Sequence, residues 1–418
     1  YLPLLDPADE LAWPLKVRSL AGDAYAFWRG SKLHFYRWSR DACRDWLADT
    51  RRFIPTHGDP HFGNIGSYPA DTGWGEPGIG FVDFDETALL PPEFDLLQGW
   101  IMSRLAAERM KLPWTPRLRE ALRQTIARNY RLGATASAPV VELLADSPMA
   151  MSLLRDFGES YEADLRSLTT DGRFRHTLGN PSAPSDLLTA TPELIEPIAR
   201  ALARWSASDP TMSGRLRYSS VESWRAAIGD VARRVRVKSV GSQGLKKYFV
   251  LVHSPLMGRD HDIVLYLKQQ VLPPAERSGI SAPFPAAPAE RVARMTAGLT
   301  DPPPIVNGAV ELAGESYWLL LREPWSMELD SSKWSTRQEL LEAARIWATV
   351  AGRAHRHAGL NEPGFPSAET MGQVESRADE YLRLHHRIYA EFVADERVKE
   401  LSRRAGSIVE RVAAQTKS

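Results

Sequence analysis

His57-Gly58-Asp59-Pro60-His61-Phe62-Gly63-Asn64 and, further on, Phe81-Val82-Asp83-Phe84-Asp85-Glu86 decide how this chain is read. The first stretch sets an Asp and an Asn five positions apart in a turn-rich segment. The second puts an acidic pair at the end of an apolar, strand-like run from Ile79 to Phe84. Polar loops with Asp and Asn usually serve turns. That reading has difficulty with so many hard oxygen donors bracketing one short strand. Phosphoryl transfer from Mg-ATP needs such a set: a carboxylate for the acceptor hydroxyl, and an Asn and an Asp for the metal. On this reading Asp59 serves the acceptor hydroxyl, Asn64 and Asp83 hold magnesium, and Asp85 is a second metal ligand or a hydrogen-bond support. His57 and His61 hold the loop. Asp95, at the start of a helix in Pro91-Pro92-Glu93-Phe94-Asp95, braces it from below.

Outward from these loops, the texture is helical for most of the chain. The spacing predicts helices from Phe94 to about Leu112, stopped by Pro113, and over 116–133, 149–168 and 191–206, the last opening on Thr191-Pro192-Glu193. A further helix runs from Val221 to about Arg234. The pattern then changes to alternation in Arg234–Val240, followed by strands over Lys246–His253 and Asp262–Val271, a helix around 288–299 and a strand over Ser316–Arg322. Helical periodicity returns over 337–357 and most of 370–415. A strand-rich unit embedded in helical sequence reads as two lobes. The expected divisions are 1–235, a large-lobe-like helical segment with the catalytic and metal loops; 236–326, a small nucleotide-binding lobe; and 327–418, a helical return to the large lobe.

Inside the strand-rich unit, Val240-Gly241-Ser242-Gln243-Gly244 joins two strand patterns. It is either an ordinary hairpin turn or a loop whose backbone N–H groups approach phosphate through Gly241, Ser242 and Gly244. Lys268 ends the apolar strand Ile263–Leu267. It is either a snorkelling surface residue or a buried cation that meets phosphate. Arg29, in Phe27-Trp28-Arg29-Gly30, is equally a phosphate or acidic-substrate contact and a member of a surface network. His355 and His357 stand two apart on a helix and do not share a face, so they do not form a metal pair.

Bulk composition excludes several classes. The chain has 418 residues, 43% hydrophobic and 25% charged, which is ordinary for a globular protein of more than one unit. Lys plus Arg equals Asp plus Glu at 52 each, so no global basic bias points to nucleic acid or an anionic membrane. Cys43 is alone, which excludes an intrachain disulfide and a Cys-based zinc site. No apolar run approaches the roughly 20 residues of a membrane span. Tyr1 reads as a trimmed or processed end with no signal peptide visible, and a cytoplasmic location is expected.

Taken together, HGDPHFGN followed by VDFDE resembles the catalytic and metal segments of aminoglycoside and choline kinase-type phosphotransferases, which share the protein-kinase-like fold. A closer resemblance is to the bacterial domain-of-unknown-function family twenty-two fifty-two. Its pattern of an aromatic-Arg-Gly segment, a GD-x-H-x-x-N loop, a DFDE strand end, a Gly-Ser-x-Gly hairpin and a Lys-bearing strand is met here between about 25 and 360. The resemblance implies an α+β fold of protein-kinase-like, two-lobed form, with Mg2+ and ATP as cofactors. That family commonly has Lys-Glu after the third strand, and this chain has Lys268-Gln269. The expected ion-pair partner of Lys268 is therefore Glu290 on the following helix, with Glu276 behind it.

In an ordinary kinase the Gly loop and lysine precede the catalytic loop; here they follow it by nearly two hundred residues. The helix ending Gly352-Arg353-Ala354-His355 resembles the one that normally leads into HGD. A circular permutation accounts for both, with the small antiparallel lobe inserted between helix-rich large-lobe segments. No long activation segment fits between Asp83 and Asp95, which favours a small-molecule acceptor over a protein. The expected activity is Mg-ATP-dependent phosphorylation of a small-molecule hydroxyl, with no nucleic-acid or membrane partner. The alternatives are a nucleotide-binding pseudokinase or interaction module, a nucleotidyl transferase using the same ATP site, and a dinuclear metallophosphoesterase. The last needs several further His and Asp ligands.

Overall fold

A computed structural model describes residues 12–71, 77–154, 161–175, 186–189, 192–209, 216, 218–235, 245–254, 261–322, 329–362 and 364–415. The fold is α+β: long helices form one core, and a six-stranded antiparallel sheet with its own helices forms another.

The helical core is built on Glu93–Arg109, Pro116–Thr135, Arg337–His357 and Ala368–Ala394. Thr115 caps Pro116–Thr135, with its side chain accepting from Leu118 N and Pro116 at the first turn. Thr336 and Glu339 form a reciprocal capping box at the start of Arg337–His357. The second and third of these helices pack so closely that a Cβ on Gly352 would lie 2.0 Å from the Tyr130 carbonyl oxygen. Only glycine permits that backbone approach. Trp100, Trp347, Tyr130 and Tyr381 are fully buried between the helices.

Short strands frame the loops of interest. β1 (Ile54–Thr56) leads into the His57–Asn64 stretch, and β2 (Ile65–Pro69) leaves it. β3 (Pro77–Phe81) pairs with β2 antiparallel and delivers the chain to Asp83, while β4 (Ala88–Leu90) returns to pair with β1. A small hairpin, β5 (Thr169–Thr170) and β6 (Arg173–Phe174), lies further along.

The large sheet comprises β7 (Asp186–Thr189), β8 (Ile228–Val235), β9 (Lys247–Ser254), β10 (His261–Gln269), β11 (Asn307–Leu312) and β12 (Glu315–Leu321). Their order in space is β11-β12-β10-β9-β8-β7. Alternate side chains divide between its faces. Val250, Val252, Ile263, Leu265 and Leu267 pack against helices Ile195–Ser208 and Val221–Ala227. Phe249, Leu251 and Val264 occupy the other face. Lys268 belongs to that second face by parity and stands near the end of the paired register, opposite Lys247 on β9 and Trp318 on β12. Trp318 meets Phe84 edge-on at 6.0 Å, so the Lys268 end of the sheet rests on the segment after Asp83.

Several elements depart from expectation. The helix expected from Val221 to about Arg234 ends at Ala227, and β8 begins at Ile228. The β-branched Ile228, Val231 and Val235 favour a pleated strand, and the register shift at Ile228/Asp230 accommodates Gly229. The sheet therefore draws on residues before 236. The helix expected over 149–168 is present as Pro148–Ser152 and Tyr161–Leu168, and 370–415 is two helices, Ala368–Ala394 and Glu396–Gln415, separated at Asp395. β7 and β11 have too few apolar positions to signal a strand alone; pairing supplies them. Residues 236–240 of the expected strand lie outside the described residues. Among the described residues no helix is long and apolar enough to cross a membrane.

Candidate functional site

Asp59, Asn64, Asp83, Asp85 and Glu86 come together along one cleft. Its opposite wall is Leu245 and the segment Gln270 to Pro274. The loop that carries Asp59 is held rigidly from beneath. Gly58 has φ +77°, and a Cβ there would lie 2.1 Å from the Glu86 carbonyl oxygen, so the turn needs glycine. Asp95, fully buried, accepts from the backbone N–H of His57 at 2.8 Å and of Gly58 at 3.1 Å. His355 Nε2 lies 2.9 Å from the same carboxylate, and Tyr130 OH lies 2.5 Å from His355 Nδ1. Burial pushes the Asp95 carboxyl up, but His355 and the amide donors outweigh it and hold it below its usual range. His57 Nε2 sits 3.0 Å from the Val82 carbonyl oxygen, tying this loop to the one with Asp83. Trp347 Nε1 donates to the Pro60 carbonyl oxygen at 2.7 Å.

Asp59 itself is buried, with its side chain 13% exposed at the cleft. Lys32 Nζ lies 2.7 Å from Oδ1, in a geometry better described as an ion pair than as a directed hydrogen bond. His61 Nε2 is 3.5 Å from Oδ2. Burial, then the charges of Arg29 and Lys32, push the His61 imidazole well below its ordinary range, so it is neutral near pH 7. Asn64 donates its side-chain N–H to the Asp59 carbonyl oxygen at 2.8 Å and lines the cleft. Arg29 Nε is buried with no hydrogen-bond partner, and its charge acts on His61, Lys32 and Tyr25.

Asp83 adopts a left-handed backbone (φ 63°), one of the few that a short polar side chain tolerates. This swings Asp83 and Asp85 toward β10. Lys268 Nζ bridges them, in contact with Asp83 Oδ1 and 2.5 Å from Asp85 Oδ2. Gln270 Nε2 donates to Asp85 Oδ1 at 2.7 Å. Burial lowers the ammonium's proton affinity, but the two carboxylates overcome this and raise it above the ordinary lysine value. Burial and the neighbouring Asp83 push Asp85 up, against the pull of Lys268. Behind them Arg291, 1% exposed, donates to the carbonyl oxygens of Thr87, Asp85 (3.0 Å) and Val271 (3.3 Å) and fixes the loop after Asp83. Glu86 is buried; burial pushes its carboxyl up to about 8, and its Oε2 has no hydrogen-bond partner.

Two carboxylates that converge on one ammonium form a cation-binding geometry already occupied by the protein's own charge. Hard oxygen donors of this kind, with Asn64 beside them, suit Mg2+, which needs only one or two carboxylates when phosphate and water complete its shell. Among the described residues no group of three or more His, Cys, Asp or Glu is arranged as a metal site.

The structure corrects the expected partner of Lys268. Glu290 pairs with Arg294 on the solvent side of helix Pro288–Leu299 and lines a separate groove with Trp205 and Asn307. The inward-facing residue of that helix is Arg291, and the carboxylates for Lys268 come from the Asp83 loop instead. Gln269, where the carboxylate is missing, points the other way and accepts from Lys246 N. Gly241, Ser242 and Gly244 lie outside the described residues. Sequence reasoning missed Lys32, Gln98, Gln270, Arg291 and the site role of His355. His355 is fully buried under the loop while His357 meets Gly298 O on the surface, which agrees with their expected opposite faces.

An α+β fold with an acidic cleft between a helical half and an antiparallel sheet defines the architecture. The chain belongs to the DUF2252 family, described as an uncharacterized protein conserved in bacteria, whose model matches residues 9–396. No curated protein and no solved structure matches the chain.

Proposed function

We propose that this protein is a Mg-ATP-dependent phosphotransferase of permuted protein-kinase-like design that acts on a hydroxyl of a small molecule. The observation that carries the reading is the meeting of Lys268 with Asp83 and Asp85, 185 positions apart for the Asp83 pair, in the cleft lined by Asp59 and Asn64. A strand-borne lysine beside metal-type carboxylates, facing a separate carboxylate on a rigid loop, is the set that phosphoryl transfer requires.

The permuted order is supported by two contacts. Lys268 reaches from the sheet to the loop after β3. The end of helix Arg337–His357 reaches Asp95 directly beneath His57 and Gly58. A helix end and the loop it would otherwise precede are thus adjacent in space, as a permutation requires.

In the proposed reaction Asp59 Oδ2 takes the proton of the acceptor hydroxyl. The acceptor O–H bond breaks, an O–P bond forms to the γ-phosphorus, the bond from phosphorus to its bridging oxygen breaks, and ADP leaves with the electron pair. Asn64, Asp83 and Asp85 would hold Mg2+, which neutralises phosphate charge when bound. Lys268 turns from carboxylate to phosphate as nucleotide enters. The rigid bed under Gly58 keeps Asp59 in position, so that catalysis rests on placement and charge. A dinuclear hydrolase would draw on further His and Asp ligands, and the described residues supply no such cluster.

The test is calorimetric titration of ATP with and without Mg2+, on wild type and Asp83→Asn. Mg-dependent binding that the variant loses upholds the nucleotide site. No binding to wild type overturns it.

A further inference from the structure

Lys32 is the one fully buried ammonium placed against Asp59, and the phosphotransfer scheme above gives it no task. It stands at the first position of helix Lys32–Ala42. Its Nζ meets three partners: Asp59 Oδ1 at 2.7 Å, Gln98 Oε1 at 2.8 Å, and the face of Trp28 at 3.2 Å from the ring centroid. A buried charge is tolerated when it is so surrounded.

Gln98 extends the arrangement to the main chain. Its Nε2 donates to the Gly58 carbonyl oxygen at 2.9 Å, and Tyr36 OH donates to the same oxygen at 2.6 Å. Lys32 is thereby fixed relative to both the side chain of Asp59 and the peptide before it. The carboxylate has two oxygens, and Lys32 occupies Oδ1. Oδ2 is left toward the cleft, with the neutral His61 Nε2 at 3.5 Å.

We infer that Lys32 is a positioning residue for phosphotransfer: it pins Asp59 through Oδ1 so that Oδ2 alone meets the acceptor hydroxyl, and it supplies the countercharge that the buried carboxylate needs. This inference rests on the phosphotransferase reading. It also makes the reaction sensitive to the charge on Lys32. Burial lowers the ammonium to about 8, opposed chiefly by Asp59. The charged and titratable groups around it are Asp59 and His61 on the loop, Arg29 on the preceding helix, Asp95 on helix Glu93–Arg109 and His385 on helix Ala368–Ala394. As pH rises through about 8, Lys32 loses its proton, Oδ1 loses its partner, and turnover falls.

The experiment uses the full chain with Mg-ATP, and follows ADP release with water as acceptor together with calorimetric ATP affinity. The variants are Lys32→Met, Lys32→Arg and Asp59→Asn. Lys32→Met is expected to lose about a hundredfold in kcat while ATP affinity stays near wild type, within the range that a proton-transfer group contributes. Lys32→Arg is expected to restore much of the rate and to remove the alkaline limb of the kcat profile, because a guanidinium keeps its proton there. A purely structural lysine would not move that limb. If Asp59→Asn loses turnover while Lys32→Met keeps it, the assignment of Lys32 fails alone. If Lys32→Met does not fold, an unaltered alkaline limb in Lys32→Arg overturns the assignment. If wild type binds no Mg-ATP, the phosphotransferase reading fails and this role fails with it.

Discussion

Asp95 and His355, 260 positions apart, meet at 2.9 Å with neither side chain exposed, directly under the turn that carries Asp59. The carboxylate also takes the N–H groups of His57 and Gly58. Asp95→Ala strands two buried amide donors and one imidazole. It is expected to lower stability by about 3–5 kcal/mol, the cost of breaking a buried charged network. Urea unfolding of wild type and variant measures this. A loss under about 1 kcal/mol would mean that the loop does not depend on Asp95.

Asp59→Asn keeps the shape of the residue and removes its charge. Turnover is expected to fall at least about a hundredfold, with ATP affinity nearly unchanged. Single-turnover ADP release paired with calorimetry separates the two effects. Equal turnover in wild type and variant would remove Asp59 from the chemistry.

Lys268→Met leaves Asp83 and Asp85 facing each other without their counter-ion. Two close carboxylates then compete for any cation offered. Mg2+ alone, with no nucleotide, is therefore expected to raise the melting temperature of Lys268→Met more than that of wild type. Thermal shifts over a Mg2+ series report this. Equal shifts in both proteins would show that the carboxylate pair does not attract the ion.

His385 gives a pH dependence with a defined sign. It is buried, and its Nε2 lies 2.9 Å from the Ala24 carbonyl oxygen. Burial lowers its pKa from 6.5 to about 4. The unfolded chain therefore binds a proton at its ordinary pKa, and the folded chain resists one until about 4. Stability from this group is complete above 6.5 and is lost as pH falls through that window. The full effect is at most about 3 kcal/mol. Melting temperatures at pH 7.5 and pH 5 are expected to differ less in His385→Gln than in wild type. His57 and His61 are lowered in the same direction, so some acid sensitivity remains in the variant.

Cys43 is fully buried, and burial pushes its thiol up to about 12. A thiol-reactive dye is expected to label the native protein only as fast as it opens, and to label it at once in denaturant. Rapid native labelling would contradict the packing around Cys43.

The two oxygen-rich loops and the lysine strand were legible because each signals locally. Asp59 and Asn64 sit in a turn-rich run, Asp83 and Asp85 end an apolar strand, and Lys268 interrupts apolar sequence. What joins them was not legible. The partner of Lys268 was sought nearby, at Glu290, but chain distance says nothing about a contact made across a cleft. Lys32 has no signal at all: it opens a helix that also holds His34, Arg37 and Arg40, and only tertiary burial sets it apart. β8 was read as helix because Val221–Ala227 supplies a sound capped start and the strand follows with no turn between. Pairing with β9 and β7 decides that segment, and pairing is a long-range property.

The 185-residue gap between Asp83 and Lys268, and the 260-residue gap between Asp95 and His355, have a consequence for how the protein is made. At about 5–20 residues per second on the ribosome, Lys268 emerges on the order of ten to forty seconds after Asp83, and His355 later still. During that interval the Asp83 and Asp85 pair lacks the Lys268 ammonium, and Asp95 lacks His355. The helical half cannot close early, since its core needs Trp347, Ala351 and Tyr381, which are made long after the loops. Assembly of the cleft thus waits for residues as far along as Tyr381, and a chain terminated before them would carry the reactive loops without forming them.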